Sequence, residues 1–140
     1  MRIFLDTNVL LDIFMHREPF YDASAQVVYA CECGRFTGGF TTLTACNIAY
    51  ALRKQMNSAQ TIQAIRKLAN IIEPIGTSVE SLLKSLEAPN GDFEDTVQAH
   101  CALEWHADAV ITRDKSGFAN CTIPVFSPTE FLLSETEDRN

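Results

Sequence analysis

Three aspartates stand where strands and a helix would bring them to one edge of a sheet. Asp6 follows directly on the β-rich run Arg2 to Leu5. Asp114 follows Ala109-Val110-Ile111-Thr112 with one residue between, so two strands deliver a carboxylate to the same side. Asp95 opens the long helix that feeds the second of these strands, and Asp92, three residues earlier, shares its face. Glu94 points about 100° away from Asp95 by helix geometry and reaches another part of the rim. Carboxylates that converge without bases between them repel and raise one another's pKa, a cost that a divalent cation removes. Oxygen-only ligands suit Mg²⁺ or Mn²⁺ rather than zinc, and no histidine lies in these stretches. One or two such ions activate water and stabilise the charge that develops on a phosphodiester during in-line attack. That is nuclease chemistry.

Each acid also has a purely structural explanation. Asp6 suits the cap of the helix that follows it. Asp92 and Asp95 have capping-box spacing and favour a helix dipole, and for Asp92 capping is the preferred reading. Asp114 suits a turn before Gly117. The convergence of Asp6, Asp95 and Asp114 is what sets the metal reading above these separate ones.

The elements that position them alternate along the chain. Strands are expected at Arg2 to Leu5, Gly38 to Thr42, Ile71 to Ile75, Ala109 to Thr112 and Ile123 to Phe126. Helical spacing places Val9 to Leu11, Ile13 and Phe14 on the first helix, and Tyr21, Ala25, Val28 and Cys31 along one face of the second, which stops at Gly34. A third helix carries Ala45, Ile48, Ala49, Leu52 and Met56 inward. After a break at Asn57 and Ser58, a fourth carries Ile62, Ile65, Leu68 and Ala69, and a fifth Val79, Leu82, Leu83 and Leu86. Ala88 to Gly91 reads as a turn before the helix from Asp92 to about His106, and Pro128 starts a closing helix. Strand–helix alternation implies a parallel sheet flanked by helices, a three-layer α/β sandwich. Ligands of such folds bind beyond the carboxyl ends of the strands, where strand order reverses.

The totals agree with one such domain, expected over residues 1–134 with a polar tail at 135–140. The chain has 140 residues, 46% hydrophobic and 21% charged, the size and composition of an ordinary globular domain. No apolar run approaches the roughly 18 residues that span a bilayer, and nothing precedes the first strand that resembles a signal peptide, so a cytoplasmic protein without membrane contact is expected. The five cysteines, Cys31, Cys33, Cys46, Cys101 and Cys121, are odd in number and irregular in spacing, and are expected to be buried and reduced. The net charge of −7, from 18 acids and 11 bases, argues against a grip on nucleic acid by bulk electrostatics.

The ordered set of motifs resembles the PIN-domain family. Asp6-Thr7-Asn8-Val9-Leu10-Leu11-Asp12 looks like its opening motif, Asp92-Phe93-Glu94-Asp95-Thr96-Val97-Gln98 like its third, and Thr112-Arg113-Asp114 before Gly117-Phe118 like its fourth. The resemblance implies metal-dependent cleavage of RNA, with Asp6, Asp95 and Asp114 as metal ligands and Thr7 and Thr112 as hydroxyls beside the site. It also implies the toxin role of many family members, an antitoxin protein as partner, and a homodimer. The second motif departs: in Thr41-Thr42-Leu43-Thr44-Ala45-Cys46-Asn47-Ile48-Ala49-Tyr50 the family's usual glutamate is matched by Asn47. An amide oxygen accepts hydrogen bonds but brings no negative charge, so weaker metal binding is expected, with Asp92 or Glu94 as candidates to compensate.

RNA contact is expected from Arg113 and Lys115, which flank Asp114, and from Arg53 and Lys54 after Asn47; Arg66 and Lys67 read as a solvated face. Tyr50 and Trp105 read first as packing residues and second as platforms for bases. A phosphoacceptor receiver domain would need paired acids after the first strand and a lysine at the end of the last, but Asp6 is flanked by Leu5 and Thr7, and the last strand ends in Phe126-Ser127. An aspartyl-phosphate phosphatase would need an acid at Asn8. A PIN fold kept as a binding module, with little catalysis, is the remaining alternative and rests on Asn47.

Overall fold

The computed structural model describes residues 1–87 and 92–140, so the turn expected at 88–91 lies outside the described residues. Five parallel strands run β1 (Arg2–Leu5), β2 (Thr37–Thr41), β3 (Glu73–Ile75), β4 (Ala109–Ile111) and β5 (Val125–Phe126), in the spatial order β3-β2-β1-β4-β5. Leu5 pairs with Ile111 in register, and Phe4 with Val110. Strand order reverses between β1 and β4, so the residues just past these two strands stand side by side at the reversal.

The pleat sends alternate residues to opposite faces, and two cores result. Ile3, Leu5, Ala109 and Ile111 pack with Leu10, Val27, Phe40, Ile48, Leu52, Leu68 and Phe131 on one face. Phe4 and Val110 pack with Val97, Cys101, Ala102, Phe118 and Ile123 on the other. The first layer is built from α1 (Thr7–Phe14), α2 (Tyr21–Glu32), α3 (Thr42–Leu52), α4 (Ser58–Ile71) and α7 (Pro128–Glu137). The second is built on α6 (Phe93–Glu104), against which α5 (Val79–Glu87) packs. The three-layer sandwich expected from the sequence is therefore the fold. No described helix is long and apolar enough to cross a membrane.

Helix ends follow local chemistry. Asn57 and Gln60 close a reciprocal capping box on α4, and Ser127 and Glu130 another on α7, where Pro128 is the first residue. Gly34, at φ +76°, takes the left-handed conformation that ends α2.

Several expectations need correction. Glu73, not Ile71, begins β3, because Ile71 still belongs to α4 and Ile72 donates to the Leu68 carbonyl as its C-cap. The buried face of α2 runs through Ser24, Val27, Ala30 and Cys31 rather than through Tyr21 and Ala25. Ile62 is exposed while Thr61 is buried. On α5, Val79, Leu82, Leu83 and Leu86 all face outward, and Ser81 and Ser85 are the buried residues. Small serines let α5 lie close to α6, and their hydroxyls are satisfied there: Ser81 Oγ donates to Glu104 at 2.7 Å and Ser85 Oγ to the Ser81 carbonyl at 2.6 Å. All five cysteines are free, but Cys33 and Cys46 are exposed rather than buried.

Candidate active site

Asp6, Asp95 and Asp114 line one open cleft of about 360 Å³, together with Thr7, Asn8, Asn47, Tyr50, Asp92 and Glu94. Asp6 stands one residue past β1, and its backbone N–H extends the ladder to the Ile111 carbonyl at 3.0 Å. Its carboxylate is almost fully buried and serves two purposes. Oδ1 accepts from Thr7 N at 2.8 Å and so caps α1, while Oδ2 accepts from Thr112 Oγ1 at 2.8 Å and Asn8 Nδ2 at 3.3 Å. The capping explanation and convergence on the cleft both hold for this residue.

Thr112 is wholly buried. Its single proton goes to Asp6, and its oxygen accepts from the Asp114 backbone N–H at 3.1 Å. It therefore ties the two strand-end aspartates together from beside the site. Ser116 Oγ steadies the Asp114 side chain with a 2.5 Å hydrogen bond. Asp92 caps α6 by accepting from Asp95 N at 3.2 Å, as its preferred reading held. Asp95 lies against the backbone of Gly117, where a Cβ would collide with its carboxylate.

The electrostatics of the cleft are one-sided. Burial first of all, with the charges of Glu94 and Asp114 added, pushes Asp6 up to about 6, against the opposing hydrogen bonds from Thr112 and Thr7. Burial and then the charges of Asp6, Asp92, Asp114 and Glu94 push Asp95 up to about 7. Among the described residues no lysine, arginine or histidine forms an ion pair with Asp6, Asp95, Asp114 or Glu94. Desolvated carboxylates with no cation opposite them form a donor set whose chemistry fits a hard divalent ion. With the side chains as placed, no three acids, histidines or cysteines among the described residues group tightly enough to hold an ion.

The expected RNA-contacting bases are placed unevenly. Arg113 makes a bidentate pair with the fully buried Asp12, at 2.6 and 2.9 Å, and its guanidinium lies 3.9 Å over the Phe20 ring. Its charge is engaged by Asp12 within the fold. Lys115 pairs with Glu130 at 3.1 Å on the surface. Arg53 is the C-cap residue of α3 and lies 3.7 Å over the ring of Tyr50. That ring is 68% exposed at the rim of the cleft, not packed in a core. Lys54, Arg66 and Lys67 are exposed.

Several polar residues behind the cleft were not singled out from the sequence. Gln98, wholly buried, accepts from Thr41 Oγ1 at 2.9 Å and donates from Nε2 to Thr44 Oγ1 at 2.9 Å. Thr44 in turn bonds Thr7 Oγ1 at 2.9 Å. Asn8 bridges Asp6 and Thr112 with its amide nitrogen and accepts from Arg113 N at 3.2 Å. The signal for Gln98 was its place one helical turn after Asp95 on the same face.

The PIN-domain family model matches residues 2–116, which contain every residue of this cleft. The chain belongs to the PIN-domain family. Among curated proteins, this PIN domain is 27% identical over 135 residues to ribonuclease VapC1 of Aquifex aeolicus, covering 93% of this chain and 92% of that one. Among solved structures, a toxin–antitoxin complex from Klebsiella pneumoniae has a chain that is 20% identical at a TM-score of 0.66, covering 90% of this chain and 97% of that chain. VapC20 of Mycobacterium tuberculosis, described as a sarcin–ricin-loop-cleaving toxin, is 10% identical at a TM-score of 0.66, covering 84% of this chain and 94% of its own. These structural likenesses are likenesses of fold. They agree with the parallel sheet and flanking helices of this PIN domain, and the family match bears out the resemblance read from the motifs.

Proposed function

We propose that this PIN domain is a metal-dependent endoribonuclease that hydrolyses RNA phosphodiester bonds, and that it acts as the toxin of a toxin–antitoxin pair. The observation that carries the reading is the meeting of Asp6, Asp95 and Asp114 in one cleft, with no basic side chain among the described residues paired to them. The similarity to ribonuclease VapC1 supports the substrate class, and the fold shared with toxin–antitoxin proteins supports the biological role.

Asp6, Asp95 and Asp114 are the residues that would hold Mg²⁺ or Mn²⁺. Bound there, such an ion supplies Lewis-acid activation of water and charge neutralisation at the phosphate. In hydrolysis a water oxygen bonds to phosphorus while the bond to a ribose oxygen breaks, and that oxygen takes up a proton. Thr112 and Asn8 hold the Asp6 carboxylate, Ser116 holds Asp114, and Gly117 leaves the room that Asp95 occupies. On the rim, Tyr50 with Arg53 forms a base-stacking platform, and Lys54 supplies phosphate contact nearby.

An antitoxin protein is the proposed partner. The apolar groove between α1, α2 and α4, lined by Leu10, Ile13, Phe14, Met56 and Leu68, offers a surface for it. The outward stripe of α5, Val79, Leu82, Leu83 and Leu86, supports a homodimer. The cytoplasm is the proposed location, in keeping with the absence of a membrane-crossing helix among the described residues. Asn47 favours a second reading, a PIN fold that binds metal or RNA without cutting.

The deciding experiment incubates the full chain with mixed single-stranded RNA in Mn²⁺, Mg²⁺ or EDTA, beside Asp6→Asn. Metal-dependent cleavage lost in the variant supports the enzyme. Mn²⁺ binding without cleavage on any RNA offered moves the conclusion to the binding module. Neither Mn²⁺ binding nor cleavage removes both the catalytic and the metal-binding readings.

A further inference from the structure

Asn47 stands on α3 where the second motif of the family usually carries glutamate, but it does not stand alone. Its Nδ2 donates to Glu94 Oε1 at 2.7 Å, across from α3 to the first turn of α6. Both side chains are half-buried, and both line the cleft with Asp6, Asp95 and Asp114. The amide nitrogen is thus committed to Glu94 Oε1. No residue among the described ones donates to Glu94 Oε2, and no cation neutralises the group. Glu94 reaches α3 because it lies about 100° round the helix from its neighbour Asp95, which turns to Gly117 instead.

We propose that Glu94 supplies the acidic metal ligand that Asn47 does not, held over the cleft by the Asn47 amide, so that the carboxylate has moved from α3 to α6. This rests on the reading of the cleft as a divalent-cation site. An amide at 47 and an acid at 94 make a consistent pair, since an amide N–H donates where a second carboxylate would repel. The cleft then keeps four acidic ligands, Asp6, Glu94, Asp95 and Asp114, and the departure at Asn47 is an exchange of partners rather than a lost ligand. Glu94→Gln removes only charge, because a glutamine oxygen still accepts from Asn47 Nδ2. Adding Asn47→Asp to Glu94→Gln reverses the hydrogen bond, with the amide on α6 and the carboxylate back on α3, and leaves side-chain shapes unchanged.

The test is Mn²⁺ titration of the full chain by calorimetry, with electron paramagnetic resonance to count free ion and circular dichroism to verify folding. Wild type, Asp6→Asn, Glu94→Gln and Asn47→Asp/Glu94→Gln are compared. The expected result is a loss of affinity of roughly tenfold or more in Glu94→Gln, largely recovered in the double variant. Wild-type affinity in Glu94→Gln alongside lost binding in Asp6→Asn would overturn the proposal and leave the metal reading intact. A folded double variant as weak as Glu94→Gln would overturn the exchange. If the wild type binds no Mn²⁺, the metal reading fails and this proposal with it.

Discussion

Gln98 reaches Thr44 from one turn beyond Asp95, its Nε2 donating to Thr44 Oγ1 at 2.9 Å in a region closed to solvent. Thr44 lies one turn before Asn47 on α3 and touches Thr7 at the start of α1. One buried amide therefore links the three helices that carry Asp95, Asn47 and Thr7. With Thr41 donating to the Gln98 oxygen, both ends of the amide are satisfied. Gln98→Met keeps the volume but removes two buried hydrogen bonds, leaving Thr41 bonded to Thr44 and Thr44 to Thr7, at a cost of about 0.5–1.5 kcal/mol for each bond lost. The urea midpoint is expected to fall, and Mn²⁺ affinity to fall with it under conditions where the variant remains folded. Unchanged metal affinity in the folded variant would mean that the network serves stability alone.

The raised acids of the cleft predict that the metal-free protein is less stable at neutral than at mildly acidic pH. Asp6 is raised from 3.8 to about 6 and Asp95 to about 7, both chiefly by burial. Between about pH 4 and pH 7 the folded protein keeps protons that the unfolded chain has released, so raising the pH across this window favours unfolding. Thermal melts in EDTA should show Tm falling from pH 5 to pH 7.5, and Mn²⁺ restoring it at pH 7.5. Asp95→Asn should raise Tm in EDTA at pH 7.5 and leave it nearly unchanged at pH 4.5. A variant that gains nothing at pH 7.5 would show that Asp95 carries no such strain.

Gly117 matters through the space it leaves. The nearest atoms to a Cβ at this position all belong to the Asp95 side chain. Gly117→Ala should turn the carboxylate away, lowering Mn²⁺ affinity by roughly tenfold or more, with the circular dichroism spectrum unchanged. Equal affinity would show that Asp95 does not bind metal from this position.

How much of this was legible depends on how each residue is held. Asp6 and Asp114 could be read because an acid within a few residues of a parallel strand's end has one edge to occupy, and the Leu5–Ile111 register brings the two strand ends together. The outward stripe of α5 could not. Helical spacing finds an apolar face but does not say which face is covered, and here Ser78 and Ser81 bond Glu104 and turn the serine side inward. Thr41 and Gln98 meet across 57 positions, and Arg113 meets Asp12 across 101, pairings that no local period announces. The spacing of Tyr50 suited core or interface packing, and its ring, open at the rim, is outside the core.

Arg113 illustrates the difference between a base near a site and a base in it. Asp12 is fully buried, and its other cation, Arg17, stands 3.9 Å away. Arg113→Ala would leave that carboxylate poorly compensated, at a cost of about 3–5 kcal/mol, and Arg113→Lys would lose the bidentate geometry. Urea unfolding should report the loss. The slope of RNA affinity against salt should not change, whereas it should shallow for any residue that neutralises a phosphate. A shallower slope for folded Arg113→Lys would return Arg113 to the RNA-contacting set.

Tyr50 is the rim residue best suited to RNA. Its ring is exposed, Arg53 lies over it and donates to the Tyr50 carbonyl at 2.6 Å, and both sit at the end of the helix that carries Asn47. A ring oriented by its own helix offers a stacking surface at little entropic cost, and such stacking contributes about 1–3 kcal/mol per base. Fluorescence anisotropy with short single-stranded RNA in EDTA, which removes the metal that the proposed cleavage needs, isolates this contribution. Tyr50→Ala should weaken binding by roughly 5- to 100-fold, and Tyr50→Phe should retain most of it, because the face of the ring rather than its hydroxyl does the stacking. Equal affinity in Tyr50→Ala would move the RNA path to the other side of the cleft, toward Lys115.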